Sequence, residues 1–338
     1  MSSFKAAITN VWHPSRFQGA GKRRSYFEGY YVKIVDAEQD IAMALIPGVS
    51  YDAEGKGHAF IQVLDGVAKT AVYHPFDLKD FAYAKTGFDL TVGESRFHES
   101  GCEVVLPDLS LSLSFRQNLT WPWEWWSPGA MGPFSFVPGM ECKHGVMSLH
   151  HTVQGSFHSR PAVLQDQTQA LNKQPAIQLS PTTVGYIEKD WGKSFPRGWV
   201  WLQTNHLAGE TEPCCLMVSA GRVPWVTGAF RGFITAIHFR GRFIPFTTYN
   251  GARFELTLED DCARMVFSRK GIKLTIIAFH APGVDLISPI PGDGMLGRVN
   301  ESMQATATVT LTENGKTLLE TTASWVGFEI GGDAASWK

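Results

Sequence analysis

The stretch Leu109-Ser-Leu-Ser-Leu-Ser-Phe115 alternates an apolar residue with a serine along its whole length. Successive side chains of a β-strand point to opposite faces, so this pattern predicts a strand with one buried face and one solvated face. The helical period of 3.6 residues is nearly absent elsewhere in the chain. The expected building unit is therefore an antiparallel sheet with one face against a core.

The last third of the chain continues this pattern as short strands joined by turns. An alternating run that starts at Ala305 leads into Asn314-Gly315, the dipeptide with the strongest preference for a two-residue hairpin. The other predicted segments of this meander are Phe254–Leu258, the turn Asp260-Asp261, a run around Met265 and Phe267, the turn Lys270-Gly271, and Ile272–Phe279. Many short antiparallel strands predict a sandwich or an up-and-down barrel, and closure would remove exposed strand edges.

A change of composition divides the chain. Residues 165–180 are rich in glutamine and polar side chains, and we predict a junction near residue 180 between two β-rich halves, 1–180 and 181–338. The one candidate helix is Pro161–Asn172, where the apolar residues are so loosely spaced that a polar loop fits equally well. A barrel of about eight strands can enclose one small ligand.

Composition excludes several classes of protein. The 338 residues carry 30 Lys+Arg and 32 Asp+Glu, and this formal charge of −2 argues against a nucleic-acid partner. The first ten residues lack an apolar signal segment and no long apolar run follows, so we expect a soluble, cytoplasmic protein. Five scattered cysteines without a C-x-x-C pair predict reduced thiols. No phosphate-binding or dinucleotide motif is present, so no cofactor is expected.

The aromatic residues are concentrated in a few segments. Residues 121–126 hold four tryptophans in six positions, and Trp191, Trp199, Trp201 and Trp225 follow within a second short span. This density predicts an apolar cavity lined by aromatic rings. Tryptophans that simply fill a wide barrel core would give the same pattern.

Ionisable residues recur inside these aromatic stretches. A carboxyl group held among apolar rings stays protonated near neutral pH and can act as a general acid. The alternative is a set of buried ion pairs with lysine or arginine that set the strand register. His144, His150 and His151 do not follow a standard zinc spacing, so no metal site is expected. The candidate acids are Glu28, Glu141, Glu188 and Asp190.

Three motifs together resemble the tocopherol cyclase family. They are Phe27-Glu-Gly-Tyr-Tyr31, then Met131-Gly-Pro-Phe134 with Met140-Glu-Cys-Lys-His-Gly145, and then Glu188-Lys-Asp-Trp-Gly-Lys-Ser-Phe-Pro-Arg197. Further marks are Trp199-Val-Trp-Leu-Gln203, Tyr249-Asn-Gly251 and Val326-Gly-Phe-Glu-Ile-Gly-Gly332. Tyr30 stands where the plant-type motif has tryptophan, which indicates a bacterial-type branch. The resemblance covers nearly the whole chain.

The resemblance implies a lipocalin-like β-barrel architecture and a cyclase. In that reaction the phenol of a prenylated hydroquinone adds to an alkene of its own side chain and forms a chromanol. A general acid, aromatic faces around the cation and exclusion of water would support it. Asp190 and Glu188 are the first candidates for the acid, followed by Glu28 and the pair Glu141 and His144. The expected substrate-binding residues are Tyr30, Trp126, His150, Lys189, Trp191, Trp199, Trp201, Trp225 and Asn250.

Two other functions fit the same residues. A non-catalytic carrier of an isoprenoid or another hydrophobic metabolite would explain the tryptophans without any acid. A hydratase or lyase would use the same pocket with water admitted. The expected partner is a small hydrophobic isoprenoid-type substrate, and residues 121–126 also predict peripheral contact with a membrane. The oligomeric state is left open.

Overall fold

A computed structural model describes residues 10–159, 175–225 and 228–334 of the chain. The named elements of these residues are strands and two short 3₁₀ helices, Leu78–Asp80 and Gly132–Phe136. The predicted all-β fold is confirmed. The candidate helix Pro161–Asn172 lies outside the described residues.

The first sheet has twelve strands, all paired antiparallel, in the order β4-β3-β2-β1-β12-β10-β9-β8-β7-β6-β5, with β11 beside β10. Contacts between β3 and β6 nearly close it into a barrel. Its strands are β1 (Tyr26–Asp36), β2 (Ile41–Tyr51), β3 (Gly57–Asp65), β4 (Thr70–Phe76), β5 (Phe81–Tyr83), β6 (Asp89–Val92), β7 (Ser95–His98), β8 (Gly101–Val105), β9 (Leu109–Leu119), β10 (Cys142–Ser159), β11 (Ile177–Gln178) and β12 (Val184–Gly192).

The second sheet has eleven strands in the order β17-β16-β15-β13-β23-β22-β20-β19-β18, with β14 beside β23 and β21 beside β22. Contacts between β17 and β19 draw its ends together. Its strands are β13 (Gly198–Thr204), β14 (His206–Leu207), β15 (Cys215–Trp225), β16 (Gly228–Phe239), β17 (Arg242–Thr247), β18 (Arg253–Leu258), β19 (Cys262–Arg269), β20 (Ile272–Phe279), β21 (Val284–Ile290), β22 (Gly294–Glu313) and β23 (Lys316–Gly332).

The alternating segments form the strands expected of them. The apolar residues of β9 are buried in the first core, whereas its serines lie nearer the solvent. In the second sheet, Asn314 and Gly315 both have positive φ, at 51° and 81°, which matches the two-residue hairpin predicted between β22 and β23. The meander from β18 to β20 pairs in the predicted order.

The two sheets pack against each other through β1, β2 and β12 on one side and β13, β22 and β23 on the other. β1 and β12 therefore have two covered faces, one toward the first core and one toward the seam between the sheets. The strands change from the first sheet to the second between Gly192 and Gly198. The division into halves at residue 180 stays a prediction.

All five cysteines are free in the structure, and their reduced state stays a prediction. Among the described residues, no helix has the length and apolar character needed to cross a bilayer.

An ion pair inside the first barrel connects β1, β12 and the segment before β1. Lys189 Nζ lies 2.5 Å from Glu28 Oε1, and both side chains are fully buried. The Glu28 carboxylate also accepts hydrogen bonds from the Tyr26 and Tyr30 hydroxyls and from the backbone N–H of Gln18. Lys189 Nζ donates in addition to a backbone carbonyl, that of Arg16. Every buried charge in this group is therefore compensated.

Replacing one member of this pair is expected to destabilise the fold more than replacing both. Lys189→Met leaves the Glu28 charge buried without its cation, and the free energy of unfolding should fall by about 3 to 5 kcal/mol. The double variant Glu28→Gln/Lys189→Met removes both charges and should recover a large part of that loss. Urea unfolding of the three proteins measures this. Equal stability of single and double variants would contradict the assignment.

Candidate active site in the cavity between the sheets

A cavity of about 200 Å³ lies at the seam, and both sheets line it. Most of its wall is aromatic or aliphatic. Phe27 packs edge-on against Phe195 at 5.5 Å between ring centroids, and Phe195 packs edge-on against Trp199 at 5.4 Å, so the three rings form a continuous aromatic arc. Tyr31 and Trp201 are also in edge contact, at 5.3 Å. An apolar cavity with a few polar groups is the usual form of a binding site for a small hydrophobic molecule.

One polar group in the cavity wall comes from β10 and β12. The register pairs His144 with Asp190 and Val146 with Glu188, which places the two carboxylates two residues apart on the same face of β12. His144 Nδ1 lies 3.0 Å from Asp190 Oδ1, and its Nε2 lies 3.4 Å from Glu188 Oε2. The Tyr186 hydroxyl donates to Glu188 Oε2 at 2.5 Å. The imidazole is thus held between two carboxylates.

This arrangement favours the charged imidazolium. Burial lowers the pKa of His144, but the charges of Glu188 and Asp190 outweigh burial and raise that pKa to about 9. Burial also raises the pKa of Glu188 above its usual range, and the positive charge of His144 opposes that rise. Asp190 is the more accessible carboxylate, with 28% of its side chain exposed against 6% for Glu188.

A second polar group comes from β22 and β23. Glu301 and Glu329 are direct partners in the antiparallel register, so their carboxyl groups lie on the same face of the sheet. The Tyr31 hydroxyl donates to Glu301, and the Trp199 indole N–H donates to Glu329. Both glutamates line the cavity. Two facing carboxylates in an apolar wall cannot both ionise without a large cost.

The second group is therefore a source of protons near neutral pH. Burial raises the pKa of Glu301 to about 7, although the Tyr31 hydrogen bond and the charge of Lys33 oppose the rise. Burial raises the pKa of Glu329 well above its usual range, and the negative charge of Glu301 raises it further. Lys33 is itself buried in the seam, where burial lowers its pKa to about 8, and it donates to the backbone carbonyls of Gln203 and Trp325.

Glycines on β23 make room for this second group. A Cβ at Gly331 would lie 2.0 Å from the Trp199 ring, and one at Gly327 would lie 2.8 Å from the Trp201 ring. These two glycines flank Glu329 on the same face of the strand. The indoles of β13 can therefore cross β23 closely, which brings the Trp199 N–H to the Glu329 carboxyl.

The first group also has the composition of a metal site. His144, Glu188 and Asp190 each offer one ligand atom, and these atoms lie within 4.8 Å of one another. Both ring nitrogens of His144 already face a carboxylate, and the raised pKa keeps that ring protonated, whereas a metal ligand needs a deprotonated nitrogen. The residues fit an ion-paired imidazolium better than a metal centre, and the absence of a metal stays a prediction.

Five of the predicted site residues meet in the cavity wall. Glu188, Asp190 and His144 form the first polar group, and Trp199 and Trp201 line the cavity beside Glu329. The sequence predicted these residue types together, as acids among aromatic rings. Their roles in binding and catalysis remain predictions.

The other predicted residues lie away from the cavity lining. Glu28, Tyr30 and Lys189 form the buried ion-pair group of the first barrel, and Trp191 packs over the Lys189 ammonium at 4.7 Å. The remaining positions have different surroundings.

Two of them make hydrogen bonds in turns or loops. The backbone carbonyl of Glu141 accepts a hydrogen bond from the Lys193 N–H, and the Asn250 side chain accepts from the Thr247 N–H and donates to the Pro245 carbonyl. His150 is buried in β10, and Trp126 is 42% exposed. Trp225 lies in β15, and its side chain is not among those that the structure describes.

Among the polar residues of the cavity that sequence reasoning missed are Glu329, Tyr31 and Glu301. Glu329 had a usable signal, because it stands between apolar residues in Val326–Ile330, as the other candidate acids do. Tyr31 had a weaker signal, its place next to the predicted Tyr30. Glu301 follows Arg298-Val-Asn, a polar stretch without such a signal, and only its pairing with Glu329 brings it into the cavity.

These features define the class of the protein: two nearly closed antiparallel sheets with an acid-containing aromatic cavity at their seam. Solved structures share this fold. A crystal structure of CghA with Sch210972 superposes with a TM-score of 0.58 over 91% of this chain and 88% of that chain, at 10% sequence identity. A crystal structure of CghA gives a TM-score of 0.57 at 11% identity. At this identity the likeness concerns the fold alone.

Sequence comparison finds similarity to one family in the second half of the chain. A family model described as tocopherol cyclase-like matches residues 172–332. The probable chloroplastic tocopherol cyclase of Oryza sativa subsp. japonica is 26% identical over 161 residues, which span 44% of this chain and 33% of the rice protein. The chloroplastic tocopherol cyclase of Zea mays is 32% identical over 68 residues, 20% of this chain and 14% of the maize protein. The second half of the chain is therefore similar to the tocopherol cyclase-like family, and the chain spans only about a third or less of the length of these plant relatives.

The raised pKa of His144 predicts a pH-dependent contribution to stability. A pKa of about 9 in the folded protein, against 6.5 when unfolded, stabilises the fold by about 3 kcal/mol below pH 6.5. This contribution is lost as the pH rises through about 9. Urea unfolding of the wild type and of His144→Gln should therefore differ most at pH 6 and least at pH 9.5. A difference that stays constant over this range would contradict an imidazolium at this position.

Proposed function

We propose that the protein is an acid-catalysed cyclase that adds a hydroxyl group of a hydrophobic substrate to an alkene of the same molecule. The observation that carries this proposal is the facing pair Glu301 and Glu329 in an aromatic cavity, where burial keeps a proton on a carboxyl near neutral pH. The similarity of residues 172–332 to the tocopherol cyclase-like family supports a prenylated hydroquinone as the substrate and a chromanol as the product.

Glu329 is the proton donor in this proposal. Its carboxyl has the strongest tendency to stay protonated, because it is buried and faces Glu301. It transfers its proton to an alkene carbon and becomes a carboxylate, and the alkene becomes a tertiary carbocation. The Trp199 N–H hydrogen bond stabilises the carboxylate that forms. A positioned general acid of this kind contributes about 10² to 10⁴ in rate.

The opposite polar group receives the hydroxyl proton. Asp190 is a partly exposed carboxylate held by the His144 ring, so it can accept a proton without leaving its place. The hydroxyl oxygen forms the new C–O bond to the cation as its proton passes to Asp190. One proton enters the substrate and one leaves it, so the product is an isomer of the substrate. The His144 ring, 3.0 Å away, holds the Asp190 carboxylate in position until that step.

The aromatic wall supports the cation between these two steps. Trp199, Phe195 and Phe27 form the arc described above, and Trp201 with Tyr31 adds two further rings. Aromatic faces attract a positive charge through their quadrupole, most strongly when water is excluded. Water in the cavity would hydrate the cation, so an apolar wall also favours cyclisation over hydration.

Substitution of the two proposed proton carriers tests the reaction. We expect Glu329→Gln to lower kcat on a prenylated hydroquinone at least about 100-fold, because an amide cannot donate the proton. Asp190→Asn should also lower kcat. Binding, measured by quenching of tryptophan fluorescence, should stay within about threefold of the wild type. The assay is anaerobic incubation with a panel of prenylated hydroquinones followed by chromatography with chromanol standards, since substrate and product have equal mass.

Glu320→Gln is the matched control, because Glu320 is an exposed glutamate on the same strand, β23. It should keep wild-type turnover. Undiminished turnover in Glu329→Gln would remove Glu329 from the mechanism. Tight binding without product across the whole panel would favour a carrier, and a hydrated product would favour a hydratase.

The facing pair also predicts the pH dependence of the reaction. Glu301 has a pKa of about 7, and its ionisation raises the pKa of Glu329 and makes it a weaker acid. We therefore expect kcat/KM to fall as the pH rises through about 7. In Glu301→Gln this charge cannot form, so the fall near pH 7 should disappear. A pH profile with the same inflection in wild type and variant would contradict this coupling.

A further inference from the structure

A set of exposed aromatic side chains lies beside the rim of the cavity. Trp125 is 74% exposed, Trp123 57%, Trp126 42% and Phe136 40%, and Trp12 packs edge-on against Phe136 at 5.1 Å. We call the four exposed residues, together with the half-buried Trp12, the aromatic patch. Soluble proteins rarely expose this much contiguous aromatic surface without a partner for it.

The patch is built as a projecting turn. Glu124 and Ser127 exchange two backbone hydrogen bonds, of 3.0 and 2.9 Å, which places Trp125 and Trp126 at the tip. The base of the turn is braced by Trp12, whose indole N–H donates to the Trp125 carbonyl and whose own carbonyl accepts from the Trp123 indole. The exposed rings are thus held in place by defined hydrogen bonds.

The same chain segment forms the rim of the cavity. Phe134 and Met140 line the cavity and are only half-buried, and Phe134 stacks on Phe230 from the second sheet at 5.6 Å. Phe136 of the patch and Phe134 of the rim belong to the same 3₁₀ helix. One short helix therefore carries a residue of the patch and a residue of the cavity lining.

Positive charges stand next to this surface. Lys143 donates from Nζ to the Ser135 carbonyl in the same 3₁₀ helix, and the positive charge of Lys22 acts on it. Lys22 is exposed. Indole rings favour the headgroup region of a bilayer, and lysine and arginine beside them favour anionic lipid.

We infer that the aromatic patch docks the protein onto an anionic lipid bilayer, with the cavity rim facing the lipid. We assign a lipid surface as the partner because the patch forms a projecting tryptophan turn and lies beside cations and beside the apolar cavity. A protein partner would be expected to meet a flatter surface with a polar rim. This inference concerns where the protein acts, and its test contains no substrate for the proposed reaction.

Co-sedimentation with vesicles tests the inference. The wild type should bind vesicles of phosphatidylglycerol and phosphatidylcholine more tightly than vesicles of phosphatidylcholine alone, and 0.5 M NaCl should weaken that preference. The double variant Trp123→Ser/Trp125→Ser should bind the anionic vesicles about tenfold more weakly. Lys22→Glu should reduce the preference for anionic vesicles. Thermal unfolding of each variant checks that the fold is kept.

Val105→Ser is the matched control. Val105 is 47% exposed, and it pairs with Ser110 near the start of β9, whereas the patch follows the end of that strand, about 30 Å away. It should bind within twofold of the wild type. The inference fails if the wild type does not sediment with anionic vesicles, or if the tryptophan variant binds equally well. It also fails if ultracentrifugation without lipid shows a dimer that the tryptophan substitutions dissociate.

Discussion

The antiparallel register of β12 between β1 and β10 is the constraint on which the cavity depends. It places Asp190 beside His144 and Glu188 beside Tyr31, all on the face that meets the second sheet. The residues between them, such as Lys189, face the first core and pair with Glu28 there. A shift by one residue would exchange these two faces and bury the acids in the first barrel. The fully compensated ion pair opposes such a shift, because it would leave two buried charges without partners.

The ionisable side chains of the cavity form two separate groups on opposite walls. On the first wall, the His144 imidazolium lies between the Glu188 and Asp190 carboxylates, and its positive charge offsets their negative charges. On the second wall, two glutamates face each other, and the resulting repulsion together with burial keeps a proton there. Carboxyl groups of the same chemical kind thus lie in different electrostatic surroundings because their neighbours differ. An enzyme that must both give and take a proton at one pH needs this kind of separation.

The site also requires that the indole rings of β13 lie close to the backbone of β23. Gly327 and Gly331 allow two indoles of β13 to lie across β23, and any side chain at either position would displace them. At the rim, Gly132 adopts a φ of +53° directly under the Tyr249 ring. That contact connects the segment that carries the aromatic patch to the second sheet, since the Tyr249 hydroxyl also donates to the Ala130 carbonyl. The segment that carries the proposed membrane surface is therefore held against the second sheet, which forms one wall of the cavity.

The sequence by itself determined the all-β fold, the meander of the last third and the hairpin at Asn314, because alternation and turn chemistry act between neighbours in the chain. It also indicated that acids would lie among aromatic rings. It could not distinguish Glu28 from Glu188, because both stand in apolar runs. Only the packing of the sheets decides that Glu28 faces the first core, where it pairs with Lys189, and that Glu188 faces the cavity. Glu301 acquired its place through a partner on another strand. Protonation follows from burial and from charges brought close by folding, so only the tertiary structure decided which carboxyl holds a proton.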